Sequence, residues 1–301
     1  MQPGERAVVL VDEPLVEEGS QLLAALRDVG AEPRLELWAG KRPLEHAPPA
    51  AMEALADATL MFFLSAAPRG DEAAARFETS ARVHANGGRG LYLGLVDSEL
   101  LAGELSQPGL DLSDPARRLL AQLEGAREVH VRGVAGTDLK LRVEGRPWRC
   151  DALPLEAGGF ANYPNGEVYV APHADGADGL LVVDLTVPYT VAGLVDEPVR
   201  LRFEGGRAVS IEGGRAGQML RELVADAGKG ADVIAELGIG FNPTVAPRGH
   251  VMFDEKAAGT AHVAIGRNTG QYGGDNEAEI HVDCVFSKPQ VTADGRPIQL
   301  P

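Results

Sequence analysis

Residues Gly259 to Phe286 read GTAHVAIGRNTGQYGGDNEAEIHVDCVF. Three residues with metal-binding chemistry, His262, His281 and Asp283, fall within this one stretch, among glycines and small residues that let backbones approach closely. With Ile280, Val282 and Val285 marking a strand, a period of two puts the imidazole of His281 and the carboxylate of Asp283 on one face. Neutral imidazole and carboxylate oxygen together suit a borderline divalent cation. Taken singly, each histidine is equally consistent with a satisfied core residue, and Asp283 with a turn or cap.

Composition narrows the function classes. A chain of 301 residues with 45% hydrophobic content has room for two globular domains or one large one. No apolar run approaches the roughly twenty residues needed to span a bilayer, and MQPGERAVVLVDEPL lacks the form of a signal peptide. A cytoplasmic enzyme is the expectation. Only Cys150 and Cys284 are present, which argues against a disulfide framework or a cysteine zinc knuckle. Any metal site must therefore be built from His, Asp and Glu. The formal charge of −16 disfavours nucleic acid and anionic membranes as partners.

The first 125 residues alternate strand and helix patterns. Ala7 to Val11, Leu35 to Trp38, Thr59 to Leu64 and Leu91 to Leu95 read as strands. Between them Leu22, Leu26 and Val29 mark one helical face, and an alanine-rich helix runs from about Asp71 to Ala85. The alternation predicts a doubly wound α/β domain over residues 1–125 with a parallel sheet. It carries no GxGxxG fingerprint for a dinucleotide. Its histidines, His46 and His84, lack a metal-binding pattern, so no ligand is expected from this half.

Asp111 to Gly125 reads as a bridging helix with Ser113 as N-cap and Pro115 in the first turn. Beyond it the pattern turns to strands: Val129 to Arg132, Leu139 to Val143, Leu180 to Leu185, and a hairpin of Val199 to Phe203 with Ala208 to Ile211 across Gly205 and Gly206. One helix, about Ala216 to Ala227, interrupts them. Residues 126–301 are thus expected to form an α+β metal-binding domain. Two further acids stand out there. Glu167 opens the run Val168 to Val170 after a turn, and Glu236 follows Val233, Ile234 and Ala235. An acid at an apolar run needs a partner, because an unpaired buried carboxylate is costly. Glu167, Glu236, His262, His281 and Asp283 make five potential ligands, the donor set a two-cation hydrolytic site requires.

The stretches GTDLKLRVEGRPW (Gly136 to Trp148), NYPNGEVYVAP, ELGIGFNP, GTAHVAIG and IHVD, in this order, resemble the aminopeptidase T and PepS family of metallopeptidases. The similarity covers residues 125 to 286 well and the N-terminal half only in general pattern. The resemblance implies two divalent cations (Zn, Co or Mn) held by Glu167, Glu236, His262, His281 and Asp283, with Glu167 or Glu236 taking a proton from water. It also implies a peptide or small-molecule substrate and a homodimer. Family members carry a tyrosine where this chain has Thr269; Tyr272 follows three residues later and is the candidate replacement. The spacer before IHVD and the whole chain are shorter than expected for the peptidases. The same superfamily includes 2,5-dihydroxypyridine dioxygenase, which uses a single iron, and His262, His281 and Asp283 would serve one Fe(II) equally well.

Overall fold

The computed structural model describes residues 4–66, 72–102, 110–152 and 159–301. Asp71, the expected start of a helix, lies outside them. Contacts divide the chain into two compact units, Met1–Gly109 with Pro154–Pro164, and Leu110–Leu153 with Asn165–Pro301.

The first unit alternates β1 (Arg6–Val11), α1 (Val16–Asp28), β2 (Glu32–Leu37), α2 (Pro49–Ala54), β3 (Leu60–Ser65), α3 (Ala73–Ala85), β4 (Arg89–Gly94) and α4 (Ser98–Ala102). Its sheet has the order β2-β1-β3-β4-β8, every pair parallel, where β8 is Phe160–Asn162. Successive residues of a strand point to opposite faces, and both faces are covered. Ala7, Val9 and Val11 of β1 pack into a cluster with Leu26 of α1. Val8 and Leu10 pack into another with Ala51 of α2 and Val83 of α3. This is the expected doubly wound arrangement. Two local differences follow from chain ends. Val29 lies past the last turn of α1 and is 54% exposed rather than on the apolar face. The edge strand β8 arrives from a distant part of the chain, and three residues are too few to show a period.

The second unit begins with α5 (Ser113–Leu123), whose Ala116, Leu119 and Leu123 join this unit's core. The helix therefore packs with the strands that follow it, and the division falls after Gly109 rather than at 125. Ser113 is the first helical residue and caps nothing with its side chain. Its N–H donates instead to Asp111 Oδ1 at 2.9 Å, so the carboxylate two residues upstream closes the helix start.

A largely antiparallel pair of sheets builds the rest. The larger, of order β12-β11-β10-β6-β5-β16-β17, contains β5 (Glu128–Arg132), β6 (Asp138–Arg142), β10 (Ala177–Val183), β11 (Val199–Glu204), β12 (Arg207–Glu212), β16 (Gln290–Ala293) and β17 (Arg296–Pro297). The hairpin of β11 and β12 turns at Gly205 and Gly206, both at positive φ, and α6 (Gly214–Ala227) follows. The smaller sheet, β15-β14-β13-β9-β7, contains β7 (Arg149–Cys150), β9 (Glu167–Val170), β13 (Ile234–Gly240), β14 (Thr260–Gly266) and β15 (His281–Ser287), with the short α7 (Val251–Asp254) ahead of β14. Val168, Val170, Leu237, Ile239, Ala261, Val263, Ile265, Val282, Cys284 and Phe286 all enter one hydrophobic core. The alternate positions of these strands form the opposite face, which carries the chemistry.

Candidate metal centre

On that opposite face the period of two aligns Glu167 and Tyr169 of β9, Glu236, Gly238 and Gly240 of β13, His262 and Ala264 of β14, and His281 and Asp283 of β15. Cross-strand register does the rest. Gly238 stands between Tyr169 and His262, and Ala264 between Glu236 and Asp283, so small residues separate the large polar ones. A methyl group at Gly238 would lie 2.0 Å from His262 Cε1; the imidazole occupies the space that a side chain there would take.

The five residues singled out from sequence come together. His262 Nε2 lies 3.5 Å from Glu236 Oε1 and 3.8 Å from both Glu167 Oε2 and Asp283 Oδ1. His281 Nε2 lies 3.3 Å from Glu236 Oε2 and 3.1 Å from Asp283 Oδ1. Its Nδ1–H donates to the Arg267 carbonyl at 2.6 Å, which orients the ring and leaves Nε2 to the cluster. Three sets of donors converge within 4.8 Å: Glu167, Glu236 and His262; Glu236, His281 and Asp283; and Glu255, His262 and Asp283. Tyr272 also reaches the site. A short turn over Gly270–Tyr272 stacks its ring on His281, centroids 4.4 Å apart, and sets it edge-on to Tyr169 at 6.3 Å.

Sequence reasoning missed Asp151, Glu255 and Lys256. The run Asp254, Glu255, Lys256 looks like a solvated turn, yet Lys256 is 0% exposed. Its ammonium donates to Glu167 Oε1 and lies 3.0 Å from Glu255 Oε1 and 3.4 Å from Asp151 Oδ2. Gly240 permits the approach: a methyl group there would meet the Glu255 carbonyl at 2.6 Å. Asp151 in turn accepts at Oδ1 from the Gly166 and Glu167 N–H groups at 2.8 and 2.9 Å, which sets the start of β9. The one available signal was the presence of a lysine beside several acids, and that pattern is also what an exposed turn shows.

The electrostatics describe a site short of positive charge. Five carboxylates, Asp151, Glu167, Glu236, Glu255 and Asp283, surround one ammonium, a formal excess of four negative charges when both imidazoles are neutral. Burial by itself would lower His262, but hydrogen bonding to Glu236 and the charges of Glu167 and Asp283 outweigh it and push its pKa up to about 9. His281 is likewise raised against its burial by Tyr272, Asp283 and Glu236. Burial pushes Glu167 well above the carboxylate range, beyond what Lys256 offsets, because Glu255 and Asp151 add like charge. Burial would raise Glu236 as well, but its hydrogen bonds to His262 and His281 hold it below the usual value. Three atoms of the cluster lack a hydrogen-bond partner, Asp151 Oδ2 being one, though it lies 3.4 Å from the Lys256 ammonium. Glu167 Oε2 and His262 Nδ1 are buried without a hydrogen-bond partner. Protons on the histidines stand where cations would otherwise balance the acids, and an acid-rich set of imidazole and carboxylate donors fits divalent metal.

The second of the two units carries a cluster of buried imidazole and carboxylate donors, the kind of set that suits divalent metal. Residues 113–300 match the thermophilic metalloprotease (M29) family, and the chain belongs to it. Aminopeptidase T of Thermus aquaticus is 33% identical over 188 residues, 56% of this chain and 44% of that relative, so the match spans less than half of the relative's length. Among solved structures, 2,5-dihydroxypyridine dioxygenase from Pseudomonas putida KT2440 superposes with a TM-score of 0.76 at 21% identity, covering 98% of this chain and 90% of that one. Wild-type AmpT from Thermus thermophilus superposes at 0.65 and 18% identity, covering 100% and 94%. At such identities the two superpositions speak for a shared fold. No helix among the described residues is long and apolar enough to cross a membrane.

Proposed function

We propose that the chain is a metal-dependent aminopeptidase whose second unit holds two divalent cations, zinc, cobalt or manganese, among Glu167, Glu236, His262, His281 and Asp283. One observation carries this: His262 and His281 belong to different donor sets, and Glu236 and Asp283 each share a set with either histidine. A single Fe(II) held by His262, His281 and Asp283 would instead need both imidazoles around one point. Two divalent ions also match the excess of four negative charges. Bound there, the cations would polarise the scissile carbonyl and lower the pKa of water.

The residues divide the remaining work. Glu236, with one oxygen toward each imidazole, bridges the two donor sets. Glu167 is anchored at Oε1 by Lys256, which leaves Oε2 turned to the site, where it would serve a cation or take the proton of the attacking water. Tyr272 stands beside His281 and takes the part of the family tyrosine that Thr269 replaces, donating its hydroxyl to the developing oxyanion. The resemblance also supports a homodimer, which light scattering would check.

Metal content per chain, measured beside activity, tests the proposal. Two equivalents of a non-redox cation and release of leucine from leucyl amide are expected. Glu236→Gln should lower the content and abolish hydrolysis. One equivalent of iron with oxygen-dependent loss of a dihydroxypyridine would replace the proposal with the dioxygenase, as would a Glu236→Gln protein keeping full metal and full peptidase activity exclude the bridging role.

A further inference from the structure

We infer that Arg149 forms a carboxylate-binding subsite beside the metal centre, which, given the peptidase proposed above, selects short peptides by their free C-terminus. Arg149 pairs with Tyr169 across β7 and β9, so it shares the face that carries Glu167, Glu236 and His262. Its guanidinium lies on the turn that presents Tyr272. A methyl group at Gly273 would come within 2.9 Å of Arg149 Nη2, and Gly273 at φ 79° has none.

The described residues around it supply this cation with no anion. The neighbouring Arg146 has an anion: its Nη2 meets Asp275 at 2.8 Å and its Nη1 the Gly273 carbonyl at 3.3 Å, although its Nε is also buried without a hydrogen-bond partner. Asp151, two residues beyond Arg149, is turned toward Lys256 and the start of β9. Among the described residues no carboxylate pairs with Arg149, and its Nε is buried without a hydrogen-bond partner. A guanidinium cannot shed its proton, so a half-buried one retains an unmet demand for a planar anion. Within a site crowded by acids, an isolated arginine is placed to receive a carboxylate from outside the chain.

The span fits a small substrate. Arg149 is two strand spacings from β13, roughly 10 Å, which a dipeptide of about 7 Å and the arginine's own reach close. The amine end then lies toward Glu167 and Glu236, where negative charge favours it, and the carboxylate end toward Arg149, with Tyr169 and Tyr272 flanking the chain between.

Three substrates test this: leucyl-glycine, leucyl-glycinamide, and the α-amide of leucyl-glutamic acid, which moves the carboxylate to a side chain. With wild type, leucyl-glycine should have the higher kcat/KM. Arg149→Met should cost it about ten- to hundredfold, the range of a hydrogen bond to a charged group, chiefly through KM. Leucyl-glycinamide should be unaffected, and Arg149→Lys should restore part of the loss. Equal losses for acid and amide would overturn the inference, and preference for the glutamyl α-amide over leucyl-glycine would overturn the C-terminal assignment. Binding of N-acetyl-leucyl-glycine and its amide by calorimetry needs no hydrolysis. Tighter binding of the acid that disappears in Arg149→Met keeps the subsite even if no peptide is cleaved, in which case the peptidase proposal alone fails; equal binding of acid and amide by wild type removes the subsite.

Discussion

Two groups of buried carboxylates, one in each unit, differ in whether the chain itself completes them. In the first unit Asp12 and Glu72 share Arg42. Its fork engages both oxygens of Glu72, its Nη1 lies 2.9 Å from Asp12 Oδ1, and Asp12 Oδ2 accepts from Ser65 Oγ and the Ala66 N–H. All four oxygens are used. In the second unit Asp151, Glu167 and Glu255 share Lys256, while Glu236 and Asp283 face the histidines, and Glu167 Oε2 has no partner. A closed ion-pair group serves folding. An open one with excess charge is a place prepared for cations.

The sharpest way to break this contrast is to remove the cation from each group. Lys256→Met and Arg42→Met should each cost about 3–5 kcal/mol, since both leave buried carboxylates unpaired. The groups should part on adding Zn²⁺: Lys256→Met, with its negative excess enlarged, should gain more in denaturation midpoint than wild type, and Arg42→Met should gain no more. Identical responses would mean that the second group is as closed as the first.

Space at glycine offers a smaller test. Gly238→Ala should cost about 1–3 kcal/mol by overpacking and lower metal content, because its Cβ would overlap the His262 ring. Gly19→Ala in α1 meets only Leu35 Cδ1 at 3.1 Å and a Val11 methyl at 3.3 Å. Helix propensity favours it, so the change should stay within about 1 kcal/mol with metal content intact. Full metal content in Gly238→Ala would show the ring has room elsewhere.

The two groups should also respond to pH in opposite directions. In chelator, the imidazolium of His262, raised from 6.5 to about 9 in the folded protein, contributes stability that is complete below pH 6.5 and lost as pH rises through 9. Burial would raise Glu72, but the hydrogen bonds of Arg42 win and lower it, so its contribution is present above about pH 4.5 and lost as pH falls through its folded value. Bound metal should flatten the alkaline limb by taking the place of the protons. A chelated protein equally stable at pH 6.5 and 9 would count against this. The smallest change in stability, within about 0.5 kcal/mol, is expected for Tyr272→Phe, which keeps the stacked ring. Its kcat should still fall about 10²-fold, as for loss of an oxyanion donor; unchanged kcat would remove Tyr272 from the chemistry.

Much of this arrangement was legible because strands write their faces into sequence. In ELGIG, GTAHVAIG and IHVDCVF every second residue is apolar and enters the core, so the residues between them, polar or small apart from Val285, share the other face. Glu236, His262, His281 and Asp283 could be read from that alternation. The three-residue β8, the capping of α5 by Asp111, and the packing of α5 with the second unit left no periodic trace. Asp254, Glu255 and Lys256 misled because adjacent charges ordinarily mean solvent.

By itself, then, the sequence determined the class of each unit and singled out five residues that the fold brings together, through local periodicity and side-chain chemistry that need no knowledge of distant neighbours. Only the tertiary structure decided that Lys256 is buried against Glu167, that the two histidines lie in separate donor sets, and that no carboxylate among the described residues pairs with Arg149. Those are statements about electrostatic balance among strands far apart in the chain. Balance is set by which groups meet in a medium of low dielectric constant, and no spacing along a single strand encodes it.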